Sequence, residues 1–108
     1  MIDQHAAEKA QEFVFDNAET IAKAKAEMNY LEEFRKSKRS ILQKAYREEV
    51  PKSTIQQCED YAQSHPDYLE ILIDIRVATE VFEKIRFEIE SARMKVNIWQ
   101  TQSANQRV

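Results

Sequence analysis

The sequence predicts an all-α protein: two long helices joined through a short one, packed as an elongated antiparallel helical hairpin with coiled-coil-like packing in a homo-oligomer. Three observations carry this expectation. The 108 residues contain no glycine and only two prolines. Good helix formers (Ala, Glu, Lys, Gln, Arg) are abundant. A heptad stripe of apolar residues runs through the C-terminal third. The length corresponds to one domain. The missing glycine also excludes function classes: no Gly-rich phosphate loop, dinucleotide fingerprint or nucleophile elbow can form without its backbone freedom.

The prolines set the boundaries. Pro51 and Pro66 each disfavour helix for the residue before them. Nothing from about residue 5 to 49 is read as a helix breaker, so a first long helix is expected there. Between the prolines, Ser53-Thr54-Ile55-Gln56 has the Ser-x-x-Gln form of a capping box and opens a short helix over about 54–64. A second long helix is expected over about 66–105. At ~1.5 Å per residue each long helix would reach roughly 60 Å.

The second long helix carries the clearest pattern. Ile71, Ile75, Ala78, Phe82, Ile85, Ile89, Ala92, Val96 and Trp99 alternate spacings of four and three, an a/d stripe held over four repeats. It predicts a packing seam. In the first long helix Ala10, Val14, Ile21, Ala24, Met28 and Leu31 follow the heptad, and Phe34, Ile41 and Ala45 continue the apolar face from a rotated position, as a helix that drifts ~20° per heptad requires. Two helices alone make a thin core. Self-association through the seam of Ile71, Ile75, Phe82, Ile85, Ile89, Val96 and Trp99 is therefore expected.

Charge falls in blocks. The net charge is −3, yet residues 35–52 hold seven basic and two acidic side chains, whereas residues 1–34 hold three and eight. The basic block is Arg35, Lys36, Lys38, Arg39, Lys44, Arg47 and Lys52. Its first four members occupy a helical sector of about 160°. Such a cluster can neutralise phosphates and release counterions, and Tyr30, Phe34 and Tyr46 offer stacking surfaces for single-stranded bases. The competing expectation is a solvated face balanced by Glu32, Glu33, Glu48 and Glu49.

Catalysis finds little support. His5 lies near the N-terminus, His65 is expected to cap the second long helix, and Cys58 is expected to be a small buried thiol. Neighbouring acids such as Glu32-Glu33 and Glu48-Glu49 diverge by ~100° on a helix and form no dyad. Two histidines and one cysteine cannot complete a conventional zinc site. No enzyme activity, metal or cofactor is expected. One cysteine fits a reducing cytoplasm, and no apolar run approaches the ~20 residues of a membrane span.

The layout resembles the small helical recombination mediators of bacteriophages, the UvsY type. The segments that carry the resemblance are Tyr68-Leu69-Glu70-Ile71-Leu72-Ile73-Asp74 and Lys84-Ile85-Arg86-Phe87-Glu88-Ile89, with Tyr30-Leu31 followed by basic residues through Arg47. Lys44-Ala45-Tyr46-Arg47 is similar to the closely spaced Lys and Arg of that family, at a spacing that differs by one residue. The resemblance implies a non-enzymatic, homo-oligomeric single-stranded DNA-binding protein in the cytoplasm of an infected or lysogenic bacterium. Its DNA contacts would come from Arg35, Lys36, Lys38, Arg39, Lys44 and Arg47, and it would help load a recombinase on strands covered by a single-strand-binding protein. The alternative is a coiled-coil structural, assembly or host-interaction adaptor of a phage without nucleic-acid binding.

Overall fold

The computed structural model describes residues 1–106, and among them there are four α-helices and no strand. They are α1 (Gln4–Asp16), α2 (Ala18–Glu49), α3 (Ile55–Ser64) and α4 (Pro66–Gln106). No helix is long and apolar enough to cross a membrane among the described residues.

The expected first long helix is divided at Asn17. Its backbone sits at φ −99°, ψ 4°, in the sparsely populated bridge region. The cause is local. The Asn17 side-chain amide donates to the Phe13 carbonyl at 2.9 Å, and the Asn17 backbone N–H donates to the same oxygen at 3.1 Å. An Asn side chain that bonds nearby backbone competes with the helical ladder. The interruption is one residue long, and Ile21 N–H reaches back to the Asn17 carbonyl at 3.0 Å as α2 begins. At the start of α1, Asp3 is the N-cap and its carboxylate accepts from Ala6 N–H at 2.8 Å.

The short helix also starts differently from the expectation. The N-cap is Thr54, not Ser53: Thr54 Oγ1 accepts from Gln57 N–H at 3.1 Å, and Gln57 Oε1 accepts from Thr54 N–H at 2.9 Å. The run Ser-Thr-Ile-Gln-Gln offers two frames for one capping box. Ser53 is occupied otherwise, with its N–H on the Val50 carbonyl at 2.9 Å and its hydroxyl 3.3 Å from Cys58 Sγ. His65 ends α3 and caps α4. Its Nδ1 accepts from Asp67 N–H at 3.1 Å, and Pro66 fills the first helical position, where a missing N–H costs nothing.

The chain forms two compact units, Met1–Lys25 with the α4 segment from Val81, and Ala26–Glu80. In the first, α1 and α4 run in opposite directions: Ile2 N–H donates to Gln102 Oε1 at 3.3 Å. Ala7 and Ala10 are buried on α1, and Ile89 and Ala92 on α4. In the second, α2, α3 and α4 meet in a core of Leu42, Ala62 and Tyr68, with Tyr61 packed against it. Ala62 is fully covered. Tyr61 stacks on Tyr46 with ring centroids 4.8 Å apart and meets His65 edge-on at 5.6 Å.

The α4 stripe faces into the chain. Ile71 and Ile89 are buried, and Ile75, Phe82, Ile85, Val96 and Trp99 are half-buried. This side of α4 is already largely covered within a single copy.

Candidate nucleic-acid interface

The basic block is split by its partners. Arg35 donates through Nη1 to the Tyr68 hydroxyl at 3.1 Å and through Nε to Glu32 at 3.3 Å. The Tyr68 bond first, and Glu32 after it, raise the Arg35 pKa above the usual guanidinium value. Lys36 pairs with Glu33 at 3.1 Å, one turn away on the same helix. Lys38 reaches Asp67 at 3.4 Å, in the first turn of α4. Three of the four leading cations are thus spent on the chain's own groups. Arg39 is half-buried and has no ion pair among the described residues.

The second half is different. Lys44 and Arg47 are exposed and have no carboxylate partner among the described residues. Among the described residues the one side-chain hydrogen bond of Arg47 is a long donation from Nη2 to Cys58 Sγ, at 3.9 Å. Ser40, Gln43, Lys44, Arg47, Ile55, Cys58 and Glu59 line a groove of about 330 Å³ between α2 and α3. On α2 the four polar members stand at i, i+3, i+4 and i+7. At 100° per residue they share a sector of about 100°. Each carries a hydrogen-bond donor: hydroxyl, amide, ammonium and guanidinium. Lys36 lies on the same face, one turn before Ser40. Glu59, half-buried on α3, is the single carboxylate among the lining residues.

A groove walled by donors from two successive helical turns, with an excess of positive charge, suits an oxyanion such as a phosphate. Ser40 and Gln43 are the members that charge counting misses. Their signal is periodic: uncharged donors at helical spacing from two cations. Cys58 is buried at the back of the groove, beside Ser53. The aromatic candidates also divide. Tyr46 is taken up by Tyr61, whereas Tyr30 and Phe34 stack on each other with centroids 6.1 Å apart and remain exposed. Their face of α2 lies about a third of a turn from the donor face. On α4, Arg86 is held by Glu83 and Glu90 at 2.6 and 2.8 Å. Glu83 first, then Glu90, raises its pKa. His5 is exposed, and among the described residues no group of His, Cys, Asp and Glu is gathered closely enough to hold a metal ion.

No protein-family model matches the chain, and no characterised protein or solved structure matches it either.

Proposed function

We propose that the protein binds single-stranded DNA without catalysing a reaction, and acts as a recombination mediator that helps load a recombinase onto strands covered by a single-strand-binding protein. The observation that supports the binding step is the donor face of α2: Ser40, Gln43, Lys44 and Arg47 lining one groove, with both cations free of carboxylates among the described residues. Phosphate contacts position a strand without reading its sequence, as a protein acting on arbitrary strands requires. Capture by several copies at once raises avidity without a tight single site, which suits a subunit of net charge −3. The recombinase-loading step follows from the resemblance to the phage mediators.

A second reading is a helical adaptor with no nucleic-acid role. The exposed apolar side chains of α2 and α4 favour it, Tyr30, Phe34, Ile73 and Val77 among them. Fluorescence anisotropy with a labelled single-stranded oligonucleotide separates the two. The mediator reading expects salt-sensitive binding that is even across sequences. Absence of binding at low salt leaves the adaptor.

A further inference from the structure

A groove of about 480 Å³ runs between α1 and the α4 segment from Val81, inside one compact unit. The two helices run antiparallel, with Ile2 against Gln102. Seven residues on from Ile2 stands Lys9, and seven back from Gln102 stands Lys95. The register therefore brings the two lysines to about one level on opposite walls of the groove, and both line it. Both are exposed, and neither has an ion pair among the described residues. On α4 no acidic residue stands one turn from Lys95 in either direction. On α1 Glu12 stands one turn beyond Lys9 but is not part of the lining. Two cations at one level repel each other, and an anion seated between them converts the repulsion into two attractions. Ser91, one turn before Lys95, adds a hydroxyl donor.

The rest of the groove suits more than a bare anion. Moving from the lysines toward the N-terminal end of this α4 segment, the lining becomes apolar at buried Ala10 and Ala92 and aromatic at half-buried Phe13. Glu88 follows, seven residues before Lys95 and ~10 Å from it along the helix. It is the one carboxylate of the lining. Its pairing with Lys84 is long, at 4.0 Å between exposed side chains, and leaves acceptor capacity on the carboxylate. The order is thus cations with a hydroxyl, an apolar and aromatic stretch, then a hydrogen-bond acceptor. A nucleotide carries the complementary groups in the same order: a phosphate, a ring that stacks on aromatic side chains, and an exocyclic amine that a carboxylate accepts from.

We propose that this groove binds a nucleotide, with its phosphate between Lys9 and Lys95, its base against Phe13 and its exocyclic amino group donating to Glu88. The site is separate from the α2–α3 groove and does not depend on the reading given for that groove. Cytosine, adenine and guanine carry the amine. Thymine presents a carbonyl in its place, which a carboxylate repels.

Residue-resolved NMR titration of the full chain with deoxycytidine monophosphate tests the proposal. Saturable shifts in the millimolar range are expected at Ala10, Phe13, Ser91 and Ala92. Inorganic phosphate and deoxycytidine, each alone, are expected to bind more weakly than the nucleotide. Lys95→Ala is expected to weaken nucleotide binding about fivefold, because a charge-assisted contact is lost. Thymidine monophosphate is expected to bind about threefold more weakly than the cytidine nucleotide, and Glu88→Ala to abolish that difference. Lys95 and Glu88 are exposed, so circular dichroism should be unchanged and lost binding would not be lost fold. Oligodeoxycytidylate in place of the nucleotide separates the two sources of this chemistry: shifts of the same residues at lower concentration mark a strand, and unmoved residues mark the free nucleotide. Absence of shifts at the groove with deoxycytidine monophosphate overturns the proposal. So does inorganic phosphate that binds as well as the nucleotide, binding that ignores Lys95→Ala, or a cytosine preference that survives Glu88→Ala.

Discussion

Arg35, Lys36 and Lys38 on one side, and Lys44 and Arg47 on the other, are the same residue types on the same helix, within four turns of each other. The first three are held by Glu32, Tyr68, Glu33 and Asp67. The last two face a groove with hydroxyl and amide donors beside them. Charge density in the sequence peaks at the first group, but the carboxylates beside those cations offset part of their attraction for a phosphate. What separates the two halves is the start of α4. Asp67 and the Tyr68 hydroxyl come down onto the first half of the block, while α3, whose one carboxylate lining the groove is Glu59, flanks the second. Arg35 and Lys38 thus fasten α2 to α4, Lys36 pairs within α2, and Lys44 and Arg47 are left without a carboxylate partner among the described residues.

The largest effect should come from removing the scaffold that both halves share. Leu42 is buried against Ala62 and Tyr68. Leu42→Ala is expected to cost about 2–5 kcal/mol, as buried Leu→Ala changes do, and thermal unfolding checks it. Tyr68→Phe keeps the ring and removes the hydroxyl that anchors Arg35. A loss of about 1 kcal/mol is expected for that hydrogen bond, with oligonucleotide affinity unchanged. If affinity rose on freeing Arg35, the first half of the block would be a latent binding site and not a fastening. Smaller still is the Lys38–Asp67 pair, with Asp67 more exposed than Lys38. Lys38→Ala should cost only a few tenths of a kcal/mol, as exposed ion pairs do. Asp67→Ala should cost about 0.3–1 kcal/mol more, because Asp67 also favours the positive end of the α4 dipole. Equal losses would remove the dipole contribution. The smallest change sharpens the second half: Glu59→Gln deletes the one carboxylate lining the groove and is expected to tighten phosphate binding by about two- to threefold at low salt, with the gain fading as salt screens it.

Much of the fold was legible because periodic and punctuating residues act locally. The two prolines mark the ends of α2 and the start of α4, and the four-three spacing from Ile71 to Trp99 identifies the covered face of α4. Asn17 was not legible as a break, since Asn is tolerated in helices and its side-chain bond to the Phe13 carbonyl is seen only in the structure. The capping box was legible as a motif but not as a frame, because Ser53 and Thr54 both fit it. For the candidate site, the sequence located the basic block but not its division. The Arg35–Tyr68 bond joins residues 33 positions apart, and no spacing rule reaches that far. The same limit hid the role of Glu59, which belongs to a different helix from the donors it faces.

The salt dependence of oligonucleotide binding tests the functional division most directly, measured side by side for wild type, Arg35→Glu/Lys38→Glu and Lys44→Glu/Arg47→Glu. On single strands each phosphate contact contributes ~0.7 to the slope of log affinity against log salt. Lys44→Glu/Arg47→Glu is expected to lose most of the affinity and to flatten the slope by about 1.4, two contacts' worth. Arg35→Glu/Lys38→Glu is expected to lower the melting temperature while keeping the slope of the wild type. The opposite pattern, or an equal fall in slope for both pairs, would contradict the division of the block into a fastening half and a binding half.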